Sequence, residues 1–202
     1  MSKRKIGLFG GTFDPVHYGH LLMASYVYEE MDLDKLLFMP SGTPPHKTGK
    51  LITDEVMRAN MIKTAIKDDP RLGICEIELG GNSPDYTYNT LRKLMDENPD
   101  IDYYFIIGGD SLRSISSWYK YKELLELVYF VVIDRISIDT TPLTDIIESY
   151  MSFAKGLFYV EMPRIEISST IIRNRVKHKK CIKYMTDESV IDIINKYGLY
   201  NE

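Results

Sequence analysis

Cysteine is scarce in the 202-residue chain: Cys75 and Cys181 stand far apart with no CxxC spacing. That scarcity excludes a disulfide framework and a zinc knuckle, and both thiols read as reduced packing residues. Long hydrophobic runs are missing too, the longest being Leu127 to Ile133, far below the roughly 18 residues needed to cross a bilayer. The basic start Met1-Ser2-Lys3-Arg4-Lys5 has no signal-peptide core behind it, because Gly10, Gly11 and Asp14 interrupt the apolar stretch at once. The expected location is the cytoplasm, with no membrane partner. Glycine (13) and proline (9) are not in excess, and no repeat, linker or low-complexity segment is found, which excludes a disordered or collagen-like chain. An excess of basic charge is also lacking. The 25 Lys and Arg against 29 Asp and Glu leave a formal net charge of -4, so no nucleic-acid partner is expected and any basic site must be local.

What is present is an alternation of short apolar runs with longer amphipathic segments, the pattern of βα units around a parallel sheet. Lys5 to Phe9, Lys35 to Met39, Leu72 to Glu76, Tyr103 to Ile107, Tyr129 to Ile133 and Leu157 to Val160 read as strands. Helical spacing covers His20 to Met31, Asp54 to Lys67, Thr87 to Asp96, Tyr121 to Leu127, Leu143 to Ala154, Ser169 to Lys177 and Asp187 to Tyr197, with Gly198 as the last helix's C-terminal cap. The length suits one domain over residues 1–202, an α/β open parallel sheet with helices on both faces and a small helical C-terminal piece from about 165 to 202. A homo-oligomer is compatible with this pattern.

In such sheets ligands bind beyond the carboxyl ends of strands, near the point where strand order reverses. The loops after the first and fourth strands are therefore the candidate site. The first reads Gly10-Gly11-Thr12-Phe13-Asp14-Pro15-Val16-His17-Tyr18-Gly19-His20, and the fourth Gly108-Gly109-Asp110-Ser111. Gly10 and Gly11 allow the backbone close to a ligand, and His17 and His20 project side by side at the positive end of a helix, an arrangement suited to phosphate oxygens. No Gly-Lys-Ser/Thr follows, so this is not a P-loop, and the dinucleotide GxGxxG pattern is absent. A second helix start, Ser168-Ser169-Thr170 with Arg173 one turn in, has hydroxyls, amides and a guanidinium fit for ATP phosphates. The remaining basic residues there, Arg175, Lys177, Lys179 and Lys180, read as a solvated helix face.

Gly11-Thr12-Phe13-Asp14-Pro15-Val16-His17-Tyr18-Gly19-His20 resembles the signature of the nucleotidylyltransferase superfamily, and Ile167 through Arg173 resembles its Ile-Ser-Ser-Thr-x-x-Arg segment. Pro44-Pro45-His46-Lys47, Tyr86-Thr87-Tyr88-Asn89-Thr90-Leu91, Gly109-Asp110-Ser111-Leu112 with Trp118, and the tail from Ile182 to Tyr200 resemble the bacterial nicotinate-nucleotide adenylyltransferases over nearly the whole chain. The chain departs from that family at Asp85, at Asn89 where many members carry aspartate, and at Arg135-Ile136-Ser137 where Arg-Pro-Gly is common.

The resemblance implies a Rossmann-like nucleotidyltransferase fold. It also implies an enzyme that joins ATP to nicotinate mononucleotide, giving deamido-NAD and pyrophosphate, with Mg2+ carried by ATP and no dedicated metal ligand. His17, His20, Lys47 and Arg173 would be catalytic. Gly10, Gly11, Thr12, Phe13, His20, Gly108, Asp110, Ser168, Ser169, Thr170 and Arg173 would bind ATP. Thr12, His46, Lys47, Thr87, Trp118 and Tyr119 would bind the mononucleotide, with Trp118 against the pyridine ring and nearby backbone amides receiving its carboxylate. Phosphopantetheine adenylyltransferases share both outer motifs but lack the Pro-Pro-His-Lys turn and the tryptophan loop. A regulator that lost catalysis is opposed by both histidines and the arginine.

Overall fold

The computed structural model describes residues 3–42, 52–81, 86–133, 143–163 and 165–201. Six strands form one sheet: β1 (Arg4–Gly11), β2 (Lys35–Pro40), β3 (Leu72–Ile74), β4 (Ile101–Gly108), β5 (Tyr129–Ile133) and β6 (Leu157–Val160). Their spatial order is β3-β2-β1-β4-β5-β6, and every neighbouring pair is parallel. Strand order reverses between β1 and β4, so the crevice of a doubly wound sheet opens beyond Gly11 and Gly108.

The central strands are apolar on both faces because both faces are covered. Phe9, Tyr104, Ile106, Val131 and Ile133 point into one core, and Leu8, Phe105, Ile107, Phe130 and Val132 into the other. The first core is closed by α1 (Tyr18–Glu30), α2 (Glu55–Ala65), α7 (Ser169–Lys177) and α8 (Glu188–Tyr197), through residues such as Val27, Met61, Ile172 and Ile194. On the opposite face α3 (Thr87–Glu97), α4 (Gly109–Arg113), α5 (Tyr121–Leu127) and α6 (Leu143–Tyr150) supply Leu91, Leu112, Leu124 and Ile147.

Helix ends follow local chemistry. Asp54 accepts from the Val56 and Met57 amides at the start of α2, and Asp187 accepts from Ser189 at the start of α8. Gly198 closes α8 in the left-handed conformation, φ 62°, with Leu199 N–H reaching the Ile194 carbonyl.

Three local readings change. The third strand stops at Ile74 rather than Glu76: Cys75 N–H still donates to Phe38 O at 2.8 Å, but the chain then turns. Helix α4 and a 3-10 turn at Ile115–Ser117 follow β4, and both are too short to show a helical period in sequence. Cys181 is exposed rather than packed, while Cys75 is half-buried. The C-terminal helices pack into the sheet, since Ile172, Ile182, Val190 and Ile194 belong to the same core as Phe9 and Phe38. Among the described residues no helix is long and apolar enough to cross a membrane.

Candidate active site

After Gly11 the chain reverses through Phe13, at φ 49°, and a cis Asp14–Pro15 bond, and enters α1 with His17 as N-cap. The His17 N–H donates to His20 Nδ1 at 3.3 Å. The two rings stack at 3.6 Å between centroids, tilted by 20°. Because the Nδ1 lone pair of His20 is engaged, the neutral ring carries its proton on Nε2, making it a hydrogen-bond donor there. Gly19 permits the stack: a Cβ at this position would lie 3.0 Å from His17 Nδ1. Phe13 is buried, and its ring sits edge-on to His20 at 4.9 Å and packs on Phe9 and Phe38. Its side chain thus backs His20, and only its amide remains to meet a nucleotide.

The C-terminal motif is tied to this turn. Arg173 Nη1 donates to Asp14 O at 2.6 Å, and Nη2 to Thr170 Oγ1 at 3.2 Å. Ser169 Oγ donates to Pro15 O, and Ser168 Oγ accepts from Ile171 N–H. Ser169 Oγ is thereby used in docking, whereas Ser168 Oγ accepts and keeps its own proton to donate, so this helix start offers an anion the Ser168 hydroxyl together with the first-turn amides of α7 ahead of Ile171. Arg173 also borders an open cleft with Thr53, Asn174, Lys177 and Tyr200.

Between the ends of β1 and β4 lies a cavity of about 290 Å3, lined by Gly10, Gly11, Thr12, Gly108 and Ser111 on the sheet side and by Thr87, Trp118 and Tyr119 opposite. Trp118 meets Phe105 edge to face at 6.4 Å, and the exposed Tyr119 and Tyr86 rings lie 4.8 Å apart at the rim. Among the described residues helix α3 starts at this cavity without a side-chain cap, and since Asn89 N–H already donates to Tyr86 O at 2.8 Å, the Thr87 and Tyr88 amides are its first-turn donors. Of the backbone amides beside Trp118, its own donates to Ile115 O at 2.9 Å and is already used, which leaves that of Tyr119 as the neighbouring donor. Asp110, in the first turn of α4, is exposed. His46 and Lys47, like Asp85 and Arg135, lie outside the described residues.

Other residues that shape the site were missing from the sequence-based set. Glu78 is buried on the cavity wall and accepts from Thr90 Oγ1 at 2.9 Å. Asp14 is buried, with Oδ1 accepting from Tyr200 O–H at 2.6 Å and Oδ2 from Thr53 N–H at 3.3 Å. Burial, followed by the neighbouring Asp14 carboxylate, pushes the Tyr200 hydroxyl far above its ordinary pKa. Arg58 is buried as well and, among the described residues, bonds only to backbone carbonyls. Asp14 had a sequence signal in its place within the Gly11–His20 motif, and Arg58 a fainter one, a basic residue three and four positions before the apolar Met61 and Ile62.

This combination of a β1/β4 crevice, an imidazole pair at a helix start and a distant arginine docked on the same turn defines a nucleotidyltransferase. Residues 8–175 match the cytidylyltransferase-like family model. Over 198 residues, 98% of each chain, the sequence is 39% identical to a Clostridium perfringens strain 13 protein named "Probable nicotinate-nucleotide adenylyltransferase". A Bacillus cereus strain Q1 protein of the same name is 40% identical over 200 residues, again covering 98% of each. The chain belongs to the nicotinate-nucleotide adenylyltransferase family. The fold is shared with the Plasmodium falciparum nicotinic acid mononucleotide adenylyltransferase complexed with NaAD, at a TM-score of 0.81 with 22% identity and 98% of each chain covered.

Proposed function

We propose that the protein transfers the adenylyl group of ATP to nicotinate mononucleotide, forming nicotinate adenine dinucleotide and pyrophosphate in the cytoplasm as a step of NAD synthesis. The observation that carries this reading is the juxtaposition of the stacked His17–His20 pair, the Gly10–Thr12 turn and the cavity bearing Trp118 at one end of the sheet. The nucleophile is the mononucleotide 5′-phosphate, ionised at neutral pH, so no general base is required. A phosphate oxygen forms a bond to the ATP α-phosphorus as the bond to the bridging oxygen of the β-phosphate breaks, and pyrophosphate leaves with that electron pair.

Catalysis is then positioning and charge stabilisation. His20 presents Nε2–H to the transferring phosphoryl oxygens, with His17 stacked against it, while Arg173 and the first-turn amides of α7 receive the β and γ phosphates. Lys47 and His46 are proposed to join them from the loop after β2. Gly108 and Asp110 lie on the adenosine side. The donor set consists of amides, imidazoles and a guanidinium, which suits phosphate oxygens rather than a cation. Mg2+ would accordingly enter on the ATP phosphates, where it supplies neutralisation of developing charge.

On the acceptor side, Trp118 offers a face for the pyridine ring, and the Thr87 and Tyr88 amides of α3 with the Tyr119 amide beside Trp118 donate to its carboxylate. Glu78 contributes a negative group near a ring that carries a fixed pyridinium charge. Supplying ATP with nicotinate mononucleotide, nicotinamide mononucleotide or phosphopantetheine and measuring pyrophosphate tests the assignment. Release with nicotinate mononucleotide above the other two is expected. Release only with phosphopantetheine, or with none, would overturn it.

A further inference from the structure

Arg58, on the first core-facing turn of α2, is 1% exposed. Its guanidinium donates to backbone carbonyls from three separate segments. Nε reaches Thr53 O at 2.9 Å, Nη1 reaches Thr12 O at 2.7 Å, and Nη2 reaches Ser41 O at 2.7 Å and Gly42 O at 3.1 Å. Among the described residues no carboxylate is in ion-pair contact with it. A buried cation is costly unless its donors are matched, and here carbonyl dipoles do the matching. Burial lowers the Arg58 pKa, and the charges of Asp14, Glu55 and Asp54 oppose that shift.

Two of the four acceptors, Thr12 and Ser41, line the cavity at the end of β1. In a trans peptide the carbonyl and the following N–H point in opposite directions. Holding Thr12 O toward Arg58 therefore turns the Phe13 N–H away from it, and holding Ser41 O does the same for the Gly42 N–H. Ser41 N–H donates in turn to Gly11 O at 2.9 Å, so the ends of β1 and β2 are locked together in front of the guanidinium. A planar fork with donors on three sides can hold these carbonyls at once, whereas an ammonium on a flexible stem cannot hold the same geometry.

We propose that Arg58 is a positioning residue for adenylyl transfer: from behind the site it sets the peptide planes of the Thr12 turn and of Ser41, and so aims the amides that face the transferring phosphate. This rests on the placement of the reaction at the Gly10–Thr12 turn. Preorganised donors matter most where charge develops in the transition state, so the effect falls on kcat, and displacement of such donors by about 1 Å can cost up to about 100-fold.

The test compares Arg58→Lys and Arg58→Gln with wild type and with His20→Ala, at a temperature well below every Tm. The kcat values are normalised to the folded fraction seen by near-ultraviolet circular dichroism. Arg58→Lys keeps charge and length and is the variant on which the test rests. The expected result is a kcat at least about 10-fold lower for Arg58→Lys, lower still for Arg58→Gln, with KM for both substrates within about 3-fold of wild type. A lowered Tm with wild-type kcat per folded molecule would overturn the inference and leave Arg58 as a structural anchor. A wild-type kcat in His20→Ala would instead overturn the site itself. Loss in His20→Ala with none in Arg58→Lys would overturn the inference alone.

Discussion

The Tyr200 hydroxyl donates to Asp14 Oδ1 at 2.6 Å, a bond that closes 186 residues of chain and fastens the C-terminus beneath the turn that carries both histidines. The backbone carbonyl of the same aspartate accepts from Arg173, and its other carboxylate oxygen from Thr53 N–H. Asp14 thus acts as the junction of three segments rather than as an acid of the reaction. Thr186 reinforces the closure by donating from Oγ1 to Val16 O at 2.7 Å.

Tyr200→Phe should lower stability by about 1 to 3 kcal/mol, the cost of leaving a buried acceptor short of a donor. The pH dependence has a defined sign. The folded pKa of Tyr200 lies above the ordinary value of 10.0, so its stabilising contribution is complete below pH 10 and is lost as pH rises past 10 toward the folded value. Urea midpoints between pH 8 and about 11.5 should fall in alkali for wild type and fall less steeply for Tyr200→Phe. A residual slope should remain, because burial also raises the pKa of Tyr103 and Tyr104.

His17→Ala and His20→Ala should each lower kcat by roughly 100- to 1000-fold, the usual loss when a preorganised donor is removed. Both should also lose stability. His17 is 1% exposed, and His20 shares its ring stack and accepts from the His17 N–H, so each truncation should cost about 1 kcal/mol or more. Pyrophosphate release under saturating substrate and thermal melts read both effects.

Arg173→Ala should weaken the use of ATP more than that of the mononucleotide, and Arg173→Lys should restore activity only in part, since the charge returns without the planar fork. Docking of Nη1 on Asp14 O adds an expected loss of stability of about 1 kcal/mol in the alanine variant. Unchanged kinetics toward ATP in Arg173→Ala would assign this side chain to docking alone.

The acceptor cavity should prefer nicotinate over nicotinamide mononucleotide by about 100-fold or more in kcat/KM, because first-turn amides of α3 match a carboxylate and leave an amide's NH2 unpaired. Trp118→Ala should reduce kcat/KM for both substrates through lost stacking. Glu78→Gln should also weaken both, since the pyridinium charge is common to them. Comparison of the two mononucleotides at fixed ATP measures these effects, and equal wild-type values would contradict the amide receptor.

Sheet, helices and the position of the crevice were legible in the sequence because a strand buried on both faces must be apolar throughout and its crossover helices amphipathic. The order of βα units then leaves few topologies. The glycine turn, the histidine pair and the Ser-Ser-Thr-x-x-Arg helix start were legible because each is a local pattern. What those residues touch was decided only by tertiary structure. The partners of Asp14 come from Thr53, Arg173 and Tyr200, those of Arg58 from carbonyls of three segments, and the engagement of the Trp118 amide from a short 3-10 turn with no periodic signal. Hydrogen bonds between backbone carbonyls and distant side chains carry no residue-type signature at the accepting end, so no local string announces them. The sequence by itself determined which donors gather at the end of the sheet, and the tertiary packing decided which remain open to a ligand and which are used in holding the site together.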